Sequence, residues 1–341
     1  MKEDMELTQE DLLGDNNNNN NNNYNNNQSN ELEKENVSKS KKKDVPFGYI
    51  PITLDSCGKL TAPEVLHFRD FTPEELSHIA LSKNKRDNIK RITDCLNKMV
   101  FENFDCTYLH LDDALKIVLT LYGSFYMSTI EKEYYINPDI EDEEKLNEDS
   151  NIGKAIIPIS NIETVTIPES FKEPFDCSME INGKKMTTLL RLLRVKDYIE
   201  ADDYVSKLFD KDIRQLANIE IEIEKVKAIE DTKERINAYF DIPEEDRITY
   251  EKFSEDYETT YISVLTSMPV IQVGSMKPKT IPEKIKAAKV INRGQWKKYN
   301  EWTEENFFGN KPEVKFFSIE LQEEITRRFY FQLDDFIIPT Q

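Results

Sequence analysis

From Asn16 to Asn23 every residue is asparagine, and around this run lie Tyr24, further asparagines and a lysine cluster at Lys39, Lys41, Lys42 and Lys43. Such a segment has too little apolar surface to offset the entropy of ordering its backbone. Residues 1–45 are therefore expected to form a disordered tail, in which the lysines read as a solvated linker or as a docking or localisation patch. Folding has to begin near Val45, which leaves about 300 residues, enough for two domains of roughly 100–200 residues.

Charge and glycine content then remove whole classes of function. The formal net charge is −20, so the average surface repels phosphate, whereas nucleic-acid binders present a basic face that releases counterions. DNA and RNA are not expected as main ligands, and Lys297 with Lys298 or Arg191 with Arg194 are the places where a local basic patch would lie. Only nine glycines occur, and they stand apart, while phosphate-cradling loops need them closely spaced. Cys57, Cys95, Cys106 and Cys177 form no Cys-x-x-Cys pair, so reduced thiols fit better than zinc or a disulfide framework. The opening Met-Lys-Glu-Asp never turns apolar, and no run approaches the roughly 18 apolar residues of a membrane span. Neither secretion nor membrane insertion is expected.

Val45–Ile52 reads as extended, because Pro46 and Pro51 disfavour helix in the residues before them. A turn follows at 55–59 and a short strand at Val65–Arg69. Thr72-Pro73-Glu74-Glu75 is a strong helix start, with a threonine N-cap, proline at the first helical position and a glutamate placed to close a capping box. This predicts a helix near 73–81 and a second near 85–101, where Ile89, Ile92, Leu96 and Met99 keep helical spacing. Asp112 is the expected cap of a third, striped by Leu115, Val118, Leu119 and Tyr122. The charged run 140–150 then marks the expected boundary between an N-terminal helical domain with a short strand (46–150) and a β-hairpin plus helical domain (151–341).

In the second half, Ala155–Ile167 alternates Ile and Val, and Asn182-Gly183 between Phe175–Ile181 and Lys184–Leu190 predicts a hairpin. A helical region spans about 195–238 with a break near Asp210–Asp212. Prolines 243, 269, 278 and 282 are expected to cut 242–282 into short pieces. A helix near 281–292 follows, and 316–338 reads as a helix of roughly ten residues with apolar Phe329–Phe331 and Phe336–Ile338. The expected class is α+β, mostly helical: a helical N-terminal domain, a small antiparallel β-hairpin region and a helical C-terminal part.

No set of residues spells catalysis. The acidic clusters Asp139–Asp149 and Glu200, Asp202, Asp203 lack the glycine and twelve-residue spacing of a calcium loop, and His67, His78 and His110 share no ligand motif. Gly-x-Ser-x-Gly is missing, so Cys57 reads as a turn residue rather than a nucleophile. No catalytic residue, metal or cofactor is expected. Trp296, Tyr299 and Trp302 recur every third residue and share a helix face; they read either as core or as aromatic anchors for a partner.

The stretch Ile52-Thr53-Leu54-Asp55-Ser56-Cys57-Gly58-Lys59-Leu60, with Val65–Arg69 and Thr72–Leu76 after it, resembles the opening of the T-even-type phage baseplate hub assembly proteins. In that family a Ser/Gly turn leads into a short strand ending in arginine and a helix with acidic first residues. The resemblance implies an assembly factor or structural component of a contractile-tail baseplate hub that works by protein–protein binding. On it, Ser56 and Gly58 shape the turn, Arg69 closes the strand, and Thr72 with Glu75 makes the capping box. Some relatives carry a Cys-x-x-Cys pair, but Cys177 stands alone here, so no metal is carried over. Partners would be other tail or baseplate proteins, with self-association left open, in the host cytoplasm or the virion tail. The second reading is another phage structural protein, of the neck, portal-proximal region or tail. A third, from a different class, is an enzyme with a scattered site or a protist protein with an asparagine tract.

Overall fold

The computed structural model describes residues 44–81, 85–138, 151–181, 183–227, 229 and 232–333. The asparagine-rich segment, the charged run 140–150, Asn182 of the hairpin turn and Phe336–Ile338 lie outside the described residues. The class is α+β, with nine α-helices and small antiparallel sheets among the described residues.

The first strands, β1 (Ile50–Thr53) and β2 (Val65–Phe68), pair antiparallel from Ile50↔Phe68 to Thr53↔Val65. Behind them come α1 (Pro73–Ala80), α2 (Lys85–Met99) and α3 (Leu111–Phe125). The cap of α3 differs from expectation. His110, not Asp112, holds that position, its Nδ1 accepting the Asp112 N–H at 3.3 Å. Asp112 and Asp113 move into the first turn, where negative charge suits the helix's positive end.

Strands β3 (Thr129–Tyr135) and β4 (Ile152–Pro158) pair along their whole length, Thr129↔Pro158 to Tyr135↔Ile152. The boundary expected after residue 150 falls between these two strands. Residues on both sides also share one core, in which Leu66, Phe68, Leu96, Ile117 and Leu121 meet Ile157, Val314, Phe316, Phe329 and Phe331. The second half thus returns to the first through its last segment.

That last segment is not the helix expected near 316–338. It is a hairpin of β12 (Glu313–Ser318) and β13 (Glu323–Arg328), with β12 laid against β4. Val314, Phe316 and Ser318 are buried while Lys315 and Phe317 are exposed, a period of two rather than 3.6.

Between these strands the chain builds the rest. β5 (Thr164–Val165) pairs with β11 (Gly309–Asn310). A three-stranded sheet orders as β10 (Val270–Val273), β9 (Thr188–Leu190) and β6 (Phe175–Asp176), next to the hairpin β7 (Met179–Ile181) and β8 (Lys184–Met186). The expected helical region appears as α4 (Val195–Leu208), α5 (Asp210–Lys227) and α6 (Thr232–Asp241), broken at Phe209. The short pieces expected over 242–282 give way to α7 (Glu244–Ser267), the longest described helix. Pro243 is its N-cap and Pro269 lies beyond its end, so both prolines bound the helix without interrupting its hydrogen bonds. α8 (Ile281–Ala288) and α9 (Arg293–Glu305) complete the set. No described helix is long and apolar enough to cross a membrane.

Candidate protein-binding surface

The residues singled out around the first hairpin fall into two clusters at its opposite ends. In the turn after β1, the buried Ser56 donates its N–H to Asp113 Oδ1 at 3.1 Å, and Gly58 takes φ +70° against Glu64. Beyond β2, the Arg69 guanidinium makes a bidentate pair with Glu75 at 2.9 and 2.7 Å. Glu75 also accepts the Thr72 N–H at 2.8 Å, while Thr72 Oγ1 accepts the Glu75 N–H at 3.3 Å, closing the capping box. Burial alone would raise the Glu75 carboxyl, yet Arg69 and the Thr72 N–H together hold it below its ordinary value. All five residues hold the hairpin and α1 in place.

Asp113 is fully buried, and burial pushes its carboxyl above its ordinary 3.8, against the hydrogen bonds from Ser56. A raised folded-state value means protonation favours the fold. The stability this group contributes is complete below its unfolded value and is lost as pH climbs through the folded one. Asp113→Asn keeps an acceptor for the Ser56 N–H and removes the buried charge. Its melting point at neutral pH is expected above the parent's by about 1–2 °C, the equivalent of ~1 kcal/mol in a protein of this size. The gap should close as the pH is lowered toward the ordinary carboxylate range; a constant gap at every pH would mean that Asp113 ionises without penalty.

Trp296, Tyr299 and Trp302 do share one face of α9, and that face meets this chain. Tyr299 is buried and donates its hydroxyl to the Arg191 carbonyl at 2.8 Å; Trp302 stacks on Phe171 and Phe175 at 5.4 and 5.1 Å between centroids. Trp296 packs edge-on to Tyr299 at 5.9 Å. Their contacts are with the three-stranded sheet and the 167–192 segment rather than with a free surface.

The cysteines and histidines stay apart. Burial pushes the thiols of Cys95 and Cys177 up to about 11 and that of Cys106 up to about 12, values at which a thiol is inert at neutral pH. All four cysteines are free thiols. His67 bonds Glu102 at 2.6 Å and the His110 ring packs tilted against Phe308, 4.6 Å between centroids. Among the described residues no group of His, Cys, Asp and Glu is placed to hold a metal ion.

The feature that composition and spacing did not single out is the surface of α5, α6 and the first half of α7. These elements bury little: Ile223, Val226 and Ile242 form a small core with Ile219, Tyr239 and Tyr250 around it. Between Glu244 and Thr260 no residue of α7 is buried. On α6, Ile236 remains 49% exposed and Phe240 65% exposed, and Ile221 and Ile248 lie open nearby in sequence on α5 and α7. Among the described residues, Ile223, Val226, Ile236, Tyr239 and Phe240 line an apolar groove of about 250 Å³ together with Arg235, and the Arg247 guanidinium lies over the Phe240 and Tyr239 rings at 4.8 and 5.2 Å. A second groove of about 480 Å³ shares Ile223 and Tyr239 and is flanked by Tyr250 and the carboxylates Glu251, Glu255 and Glu258. Exposed apolar area of this kind, rimmed by polar groups, marks interaction sites more often than chance. The signal was present in the sequence as Ile236, Tyr239 and Phe240, spaced i, i+3, i+4 in a short charged helix.

Comparison with protein-family models, with curated proteins and with solved structures finds no match to this chain.

Proposed function

We propose that this protein works by binding other proteins, as an assembly factor or structural component of a phage tail baseplate hub. The protein-binding part rests on the α5–α7 surface, where apolar side chains stand open beside a row of carboxylates and little core holds them in. The baseplate part rests on the resemblance of Ile52–Leu76, whose distinctive residues serve the hairpin and α1 rather than a reaction. A helical N-terminal unit, a small β-hairpin region and the helices after it would then form a scaffold presenting that surface, without catalysis.

The test is association in infected cells. A tagged copy expressed during infection is expected to co-purify with baseplate or hub proteins identified by mass spectrometry, and its presence in or absence from finished virions separates a subunit from a transient chaperone. Association confined to neck or portal proteins would replace this reading with that of another phage structural protein. Turnover of a nucleotide or ester by the purified chain, without any tail association, would sink the binding reading.

A further inference from the structure

Resting on the protein-binding reading, we infer that the paired grooves of α5–α7 take a basic amphipathic helix of a partner protein. Two observations set the chemistry of the occupant. The floor is apolar and helical in its own spacing: Ile236, Tyr239 and Phe240 lie on one side of α6 and meet Ile223 of α5. An incoming apolar stripe at i, i+3, i+4, i+7 fits such a floor.

The rim is acidic. Glu251, Glu255 and Glu258 follow one another at four and three residues along α7, so they stand on one face over about 10 Å. Lysines or arginines at the same spacing on a partner helix meet them in register. From Glu244 to Thr260 the helix carries seven acidic and two basic residues, and this stretch is about 25 Å long, room for four to five turns of a partner. Part of the rim is committed inside the chain: Tyr239 donates its hydroxyl to Glu251, and Arg86 pairs with Glu258 at 2.7 Å. Glu255, exposed between them, is the carboxylate best placed for an incoming cation.

The same charge argues against other occupants. A second copy of this surface would set its own carboxylates against these, and like charges in register are repulsive. Nucleic acid and anionic lipid headgroups are repelled for the same reason.

The probe is a fluorescein-labelled, synthetic eighteen-residue helix with leucine at i, i+3, i+4, i+7 and lysine elsewhere, titrated with the full chain and read by anisotropy. Two further peptides accompany it: one with glutamate for every lysine, and one of identical composition without an apolar stripe. Binding of the first, weakened by added salt and at least tenfold tighter than either control, is expected. Phe240→Ser and Glu255→Lys change exposed positions and should keep the parent's melting curve while weakening binding at least tenfold. Glu323→Lys, the same charge change on the remote β13, should leave it within twofold. Equal binding by all variants, equal binding of the stripeless peptide, or dimerisation of the chain alone that Phe240→Ser abolishes would each overturn the inference. Repeating the infected-cell association with Phe240→Ser and Glu255→Lys separates the two levels. Baseplate association that survives both changes overturns this inference and leaves the proposed function standing. Absence of any tail association in the parent overturns the function while the peptide result still decides the groove.

Discussion

Asp197→Ala is expected to cost about 3–5 kcal/mol of folding stability, the range found when one partner of a buried ion pair is removed. Asp197 is 2% exposed, and its carboxylate takes both Arg191 N–H groups at 2.7 and 2.8 Å and the Arg194 N–H at 2.7 Å. Arg194, itself buried, pairs with Glu173, which also accepts the Leu192 N–H at 2.7 Å. Without Asp197, the Arg191 guanidinium keeps only the Leu192 carbonyl at 2.8 Å and the charge of Glu173 against Lys284, whose ammonium burial and Arg191 already hold below its ordinary value. The network sits where β9 hands over to α4, and α4 packs against both α2 and α7, so it also fixes where the α5–α7 surface stands. The check is urea unfolding, read as a lower midpoint at unchanged slope. Arg191→Met with Asp197→Leu replaces the pair by apolar side chains of similar size and should recover most of the loss. A loss below about 1 kcal/mol for Asp197→Ala would show that water reaches Arg191 and that the pair behaves as a surface one.

How legible this fold was depended on whether local chemistry or distant packing chose the element. Thr72-Pro73-Glu74-Glu75 fixed the start of α1 because every group needed for the cap lies within four residues. The break at Phe209 and the β7–β8 turn, with Gly183 at φ +76°, were local in the same sense. The C-terminal hairpin was not. Ile325 and Phe329, four residues apart, read equally well as one face of a helix, and only the β4 face and Tyr134, whose hydroxyl meets Ser318 at 2.6 Å, select the strand. The prolines misled for a positional reason: Pro243 and Pro269 signal an end, and the spacing between them was long enough for one uninterrupted helix. Expecting a boundary at the charged run 140–150 had the same origin, since charge shows where a chain meets solvent and not whether the strands on either side pair.

The candidate surface was half legible for a related reason. Trp296, Tyr299 and Trp302 drew attention because tryptophan is rare in this chain, yet the Arg191 carbonyl and the Phe171 and Phe175 rings claim them. Apolar periodicity in α5 and α6 predicts a buried stripe. The structure gives that stripe too few partners, so Ile236 and Phe240 stay open. Exposure is decided by how many neighbours fold back, which no window of sequence contains.

Gly309→Ala is expected to lower stability by on the order of 3 kcal/mol, because two costs fall on one residue. Gly309 is buried at φ +105°, a backbone conformation that L side chains rarely adopt, and a Cβ built there would lie 2.7 Å from Asp112 Cβ and 2.8 Å from its Cγ. The closeness is structural: β11 crosses the first turn of α3 while pairing with β5, Gly309↔Val165. The neighbouring Phe308 ring lies on His110, the cap of the same helix. The added methyl therefore presses β11 away from the helix that carries the N-terminal core. The two costs can be separated. Asp112→Gly removes the clashing Cβ but leaves the dihedral, so Gly309→Ala should be milder in that background by about 1–2 kcal/mol of coupling. Asp112→Ala keeps the Cβ and should give little relief, although it removes the same carboxylate. If both backgrounds relieve Gly309→Ala equally, the Asp112 carboxylate rather than steric contact limits the approach of β11 to α3. If neither does, the dihedral carries the whole cost.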